Sequence, residues 1–258
     1  MIKKLDSNIY NENEFINNLD SIYYIGNTNL LHRPKIGIVG SRHPNDYAKQ
    51  LIGQISNKLS NTGICIVSGG AMGIDAISHK NAGTTNTIMV AGTGLDKRYP
   101  KINSQLIEDI ENNGLVISQF EAGMPSLPRN FAIRNKIIVE LSKILIVAYA
   151  DKNSGTMRSI NYALKNDTDV YVLPHRLGQS DGTNDLLQRG LATAIYDVDK
   201  FVSKFSKIQK DDGTIDGLLQ YCQTNPVYDE AISQYGAKIF EYELQGKIYV
   251  KNGIINIQ

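Results

Sequence analysis

Four short segments of this chain carry side chains suited to holding an anion or a flat ring. Gly40-Ser41-Arg42 follows the apolar run Ile36–Val39 and puts a glycine, a hydroxyl and a guanidinium at the start of a helical pattern. Backbone N–H groups at a helix start, together with an arginine, suit a phosphate. Ser68-Gly69-Gly70-Ala71-Met72-Gly73, with Asp75 just beyond, follows a second apolar run. It holds more glycine than chain reversal needs, and glycine permits positive φ and close ligand approach. Packing against a parallel sheet also asks for glycine after a strand, so neither turn decides alone.

The third segment, Pro128-Arg129-Asn130-Phe131-Ala132-Ile133-Arg134-Asn135-Lys136, gathers three cations and one aromatic within nine residues. Single-stranded nucleic acid calls for this combination, cations meeting phosphates while a ring stacks on a base. Burial of Phe131 beside Ile133 and Ile137, and structural capping by Arg134 and Asn135, are equally open readings of the same residues. The fourth segment, Lys152-Asn153-Ser154-Gly155-Thr156, places small hydroxyl residues at a helix start, where they serve an anion or an ordinary cap. Arg176–Asn184, with Ser180 and Asp181-Gly182-Thr183-Asn184, reads as a rim.

Other chemistries are poorly represented. Gly-x-Gly-x-x-Gly and Gly-x-x-x-x-Gly-Lys-Ser/Thr are both absent, against a common NAD enzyme or a P-loop ATPase. His32, His43, His79 and His175 lack a Cys or Ser partner at a recognised spacing. His79 lies at i+4 from Asp75, a pair more often structural than catalytic, and Asp75 and Glu121 stand alone as carboxylates. Two cysteines, Cys65 in an apolar strand and Cys222 in the tail, give neither a disulfide framework nor a zinc site of known spacing. No apolar run approaches a membrane span, and Met1-Ile2-Lys3-Lys4 leads into a polar stretch rather than a signal peptide. The expectation is a cytoplasmic protein with no membrane, metal or cofactor.

The elements that must position these segments alternate. Ile36–Val39, Ile64–Val67, Thr87–Val90, Leu115–Ser118, Ile144–Val147 and Val170–Leu173 are short apolar strands. Helical patterns lie between them: Leu51, Ile55 and Leu59 at four-residue spacing, then about 102–111, 131–141 and 157–164. The pattern predicts an α/β fold, an extended Rossmann-like, doubly wound parallel sheet. Ligands of such sheets sit beyond the carboxyl ends of the strands, where the four segments fall. Residues 211–258 read as a small winged-helix-like domain of three short helices and a hairpin through Asn252-Gly253. Residues 1–33 form a short segment, a helix through Phe15 and Leu19 and an extra strand near Tyr23, packed on the core of 34–210. The 258 residues carry a net charge of only +1, yet by segment they divide into −1, +6 and −4, the middle being basic. A polyanion belongs on the middle.

Gly40-Ser41-Arg42, Ser68-Gly69-Gly70-Ala71-x-Gly73-Ile74-Asp75, Phe131-x-x-Arg134-Asn135-Lys136-Ile137-Ile138, Ser154-Gly155 and Gly182-Thr183-Asn184-x-Leu186 stand in the order of the DNA-processing protein A (DprA/Smf) family. The resemblance spans about 34–192, the tail resembles that family's small winged-helix-like domain, and the N-terminal segment resembles its compact Helicobacter- and Campylobacter-type members. It implies a homodimer through the Rossmann domain that binds single-stranded DNA, protects incoming DNA in natural transformation (competence), and helps load RecA for recombination, with no catalytic activity. Arg42 with Ser41 resembles the phosphate-binding turn, Phe131 the base-stacking aromatic, and Arg129 a neighbouring cation. Three positions depart: Met72 replaces a Lys of some members, Gln119 a Glu, and Pro174-His175 a Pro-Gly.

Two other readings stand beside this one. A nucleotide phosphoribohydrolase on a related Rossmann core, as in the lysine-decarboxylase-like family, is the enzyme alternative, but its Pro-Gly-Gly-x-Gly-Thr signature is missing. Duplex binding by the tail is opposed by its net −4.

Overall fold

The computed structural model describes residues 1–5, 21–205, 217–222, 224–244 and 246–257. Its described residues fall in two compact units, Met1–Gln209 and Lys210–Gln258.

The larger unit is built on one sheet, whose described strands number nine. They are β1 (Lys3–Lys4), β2 (Tyr23–Gly26), β3 (Lys35–Val39), β4 (Cys65–Ser68), β5 (Thr87–Val90), β6 (Leu115–Ser118), β7 (Ile144–Val147), β8 (Asp169–Val172) and β9 (Thr193–Ala194). Their order is β1-β2-β6-β5-β4-β3-β7-β8-β9. From β6 to β9 all neighbours are parallel, while β2 lies antiparallel on β6 and β1 antiparallel on β2. The expected α/β architecture is therefore present, with an antiparallel margin. The helix expected through Phe15 and Leu19 lies outside the described residues. The two-residue strands β1 and β9 carry too few side chains to show a period.

The central strands form because helices cover both faces and their side chains have apolar company on each. On one face Val39, Val67, Ile88 and Val147 join Ile137, Ile138 and Ile160. On the other, Ile38, Ile66 and Ile146 pack with Ile52, Ile55 and Leu59. All of these are 4% exposed or less, and each such side chain contributes roughly 1.5–3 kcal/mol by leaving water. Helix α1 (Asp46–Asn61) supplies the latter three and is capped by the Asn45 side chain, which accepts from the Ala48 N–H at 2.9 Å. Helices α2 (Ile74–Ala82), α3 (Ser104–Asn113), α4 (Pro128–Glu140), α5 (Thr156–Lys165), α6 (Asp181–Gln188) and α7 (Val198–Ser203) complete the unit.

The chain leaves β3 for β4, β5 and β6 on one side, then returns to β7 on the other. Strands β3 and β7 therefore flank the point where the winding reverses, and an open α/β sheet leaves its crevice there.

The smaller unit contains helices α8 (Gly217–Cys222), α9 (Tyr228–Tyr235) and α10 (Lys238–Leu244), then the antiparallel hairpin of β10 (Ile248–Lys251) and β11 (Ile254–Ile257). Asn252 and Gly253 both take positive φ, 55° and 74°, as a two-residue hairpin turn requires. Leu218, Cys222, Ala231, Ile239, Ile248 and Ile255 form its core.

Candidate nucleic-acid interface

A groove of about 590 Å³ opens at this reversal point. One wall is the turn after β3, with Gly40, Ser41, Arg42 and His43; the other is the start of α5, with Ser154, Gly155, Thr156, Arg158 and Ser159. Helix α4 closes it through Phe131, Ala132, Arg134 and Asn135, and Tyr99 leans in from the loop after β5. Beneath lies a cleft of about 40 Å³ that Arg42, Gly69, Met72, Gly92, Phe131 and Arg134 share.

Helix geometry selects which members of the basic cluster face the groove. At 3.6 residues per turn, Phe131, Arg134 and Asn135 lie on one face, while Arg129 and Lys136 turn elsewhere. Arg129 is exposed and outside the lining, and Lys136 sits 5.5 Å from the Tyr162 ring centroid. Helix α4 begins without a side-chain cap and has Pro128 at its start, where a missing N–H is harmless.

Arg134 is buried, 4% exposed. Its Nη1 donates to the Val90 carbonyl at 3.2 Å and lies 3.8 Å from Asp75 Oδ2, which also accepts from the Ala71 N–H at 3.3 Å. Burial pushes the Asp75 carboxyl above the usual carboxylate range, and the Arg134 guanidinium pulls it back. Burial likewise lowers Arg134, Asp75 opposes this, and the nearby Arg42 adds to it. Gly69 makes room for the guanidinium; Gly73, at φ +79°, lets the second turn rest on the carbonyls of Ser41 and Arg42. The two glycine turns thus pack on each other, and the cation below them is held by the acid between them.

Arg42 is exposed in the groove wall and makes no ion pair among the described residues. Ser41 is more committed. Its N–H donates to the Tyr149 carbonyl at 2.9 Å and its hydroxyl accepts from the His43 N–H at 3.0 Å. Phe131 is partly buried, its ring centroid 5.6 Å from that of Tyr99 and 5.8 Å from the Arg134 guanidinium carbon. The ring packs close to Gly92 and also lines the groove.

Three buried polar atoms lining this one groove have no hydrogen-bond partner among the described residues: Arg134 Nε, Ser154 Oγ and Ser159 Oγ.

Some sequence-derived candidates lie elsewhere. Ser68 is fully buried and its hydroxyl donates to the Ile38 carbonyl at 2.6 Å. Gly70 backs onto Met89, and its carbonyl accepts from Asn103 Nδ2 at 3.0 Å. Gly69 reaches the small cleft only. Conversely, Tyr99, Arg158 and Ser159 line the groove without having been singled out. A serine and an arginine one helical turn inside α5 were the available signal for the last two. Asp75 and His79 are structural: His79 is fully buried, with Nδ1 2.6 Å from Thr87 Oγ1.

The chain matches the model of the family described as DNA recombination-mediator protein A over residues 11–206, well over half its length. It belongs to that family. Protein Smf of Synechocystis sp. is 38% identical over 179 residues, covering 66% of this chain and 44% of that one. The DNA processing protein DprA of Streptococcus pneumoniae is 38% identical over 185 residues, 69% of this chain and 64% of that one. The chain thus spans about half to two thirds of these relatives. Among solved structures, DNA processing protein A of Helicobacter pylori, described for its unique single-stranded DNA binding mode, superposes with a TM-score of 0.74. That match has 35% identity and covers 82% of this chain and 97% of that one. Among the described residues no helix is long and apolar enough to cross a membrane.

Proposed function

We propose that this protein is a recombination mediator that binds single-stranded DNA in the groove between the turn after β3 and the start of α5. The observation that carries this reading is one groove that holds the exposed Arg42, the partly buried ring of Phe131 and the start of α5 at Ser154, Gly155 and Thr156. Phosphate oxygens would meet Arg42 and the N-terminus of α5, and a base would lie on Phe131, the pairing of cation and aromatic that single strands need. The Helicobacter pylori relative supports the ligand class. The resemblance extends the proposal to a cytoplasmic homodimer that protects incoming DNA in natural transformation and helps RecA assemble on it, the tail acting in partner or self contact. We propose also that it acts by binding alone; the carboxylate in the groove lining, Asp75, is tied to Arg134.

Fluorescence anisotropy with a labelled oligo-dT tests the reading. Saturable binding that weakens steeply with salt is expected; no binding at moderate salt would sink it. Incubation with adenosine monophosphate should release no base. Strand-exchange assays with RecA, with and without the protein, test the mediator role.

A further inference from the structure

Beside the groove lies a second cavity, about 550 Å³, lined by Asn45, Tyr47, Pro174, His175, Arg176 and Gln179. Its size suits a small-molecule-sized group. It stands over the carboxyl ends of β3 and β8, and the two cavities share one wall. The segment that presents Arg42 and His43 to the first presents Asn45 and Tyr47 to the second. Two residues separate Arg42 from Asn45, a Cα distance of at most about 11 Å. The opposite wall is Pro174–Gln179, at the position where Pro-Gly was expected from the family pattern.

The lining has the chemistry of a base site. The Tyr47 ring is 44% exposed, although it meets His175 edge-on at 5.3 Å. His175 is fixed from behind by Tyr149, at 5.0 Å, and by Nε2–H donating to the Ala148 carbonyl at 2.8 Å. Burial lowers the imidazole below its ordinary value, and Arg176 is the cation of this wall. Asn45 Nδ2 donates to Gln179 Oε1 at 3.0 Å, joining the two walls. Leu177, next to Arg176, is 99% exposed, an apolar side chain left in water at the rim of a polar cavity. An exposed tyrosine face, a fixed imidazole, a guanidinium and two amides together match a nucleotide: ring on ring, cation on phosphate, amide on base edge.

We infer that the strand held in the first groove runs past Arg42 into this cavity, where Tyr47 stacks on a neighbouring base and Arg176 meets its phosphate. The inference rests on single-stranded DNA occupying the first groove.

The test compares dT20 binding to the full chain carrying Tyr47→Ala, Arg176→Gln or Arg42→Ala, with melting temperatures measured in parallel. Tyr47→Ala should weaken binding about 5–150-fold, the range of one lost stacking contact. Arg176→Gln should weaken it and flatten the salt dependence by about 0.7 in log–log slope, as for one lost phosphate. Arg176 forms no ion pair among the described residues, so its loss leaves the fold intact and keeps the test informative if Tyr47→Ala melts early. Irradiation of a 5-iodouracil oligonucleotide should place an adduct on Tyr47 or His175. If both variants bind like wild type while Arg42→Ala does not, the second cavity is overturned and the first groove stands. If wild type binds no dT20, the proposed function fails with it.

Discussion

The guanidinium of Arg134 fills the space that a side chain at position 69 would need: a Cβ on Gly69 would lie 1.2 Å from Nη1. A residue of the glycine turn and a residue of the basic helix are thus parts of one device, which holds a buried cation under the groove floor. Asp75 closes the device from α2.

Arg134→Met should be among the most damaging single changes in the core. It strands the Asp75 carboxylate without its counter-ion, a loss of about 3–5 kcal/mol for a broken buried pair. Urea denaturation checks this, and Arg134→Met with Asp75→Asn should recover part of the loss. If the single variant is as stable as wild type, the pair is not holding the floor.

Gly69→Ala should act through the same device. The added methyl expels the guanidinium from Asp75, so the cost should approach that of the broken pair, about 3–5 kcal/mol. In the Arg134→Met background the same change should cost little, and that non-additivity is what the double-mutant cycle reads. Additive losses would mean the two positions are independent.

Arg42→Ala should leave stability unchanged, because the side chain is exposed and has no ion pair among the described residues. It should weaken single-strand binding and reduce the salt slope by about 0.7, one phosphate's worth. A variant with the wild-type slope would place Arg42 off the DNA path.

Phe131→Ala should cost about 1–3 kcal/mol of binding by loss of stacking. The ring also packs on Gly92 and Tyr99, so a fall in melting temperature accompanies it; Phe131→Tyr, which keeps a ring, should restore affinity. Failure of the tyrosine to do so would argue that packing alone explains the alanine result.

Acid should destabilise the fold through His79. Thr87 Oγ1 donates to the Ile66 carbonyl at 2.8 Å and so accepts from His79 Nδ1–H, leaving Nε2 without a partner among the described residues. Burial, helped by the Arg134 charge, pushes this imidazole down to about 3 from 6.5. A lowered folded value means stability present above pH 6.5 and lost as the pH falls toward 3, because the unfolded chain takes up the proton first. At pH 5 the loss is about 2 kcal/mol. His79→Gln should flatten the stability profile between pH 7 and 5; an unchanged slope would assign acid sensitivity to other groups.

The sequence by itself determined the parallel sheet, the glycine turns at its carboxyl edge, the Asn252-Gly253 hairpin and the family. These rest on signals local in the chain: apolar runs of strand length, helical spacing, and glycines where a turn needs them. Most of the groove's walls were legible for the same reason, since a ligand site at the strand ends follows from alternation alone. Only the tertiary structure decided which side chains line the groove. Arg129 and Lys136 share a segment with Phe131, yet the helix turns them away; Tyr99, Arg158 and Ser159 arrive from other segments. It also decided that Arg134 and Ser68 are interior groups, one paired with Asp75 and the other bonded to Ile38. Burial and pairing depend on residues far apart in the chain that the sheet brings together. Charge and residue type show what a side chain is able to do, and packing settles which atoms remain free to do it.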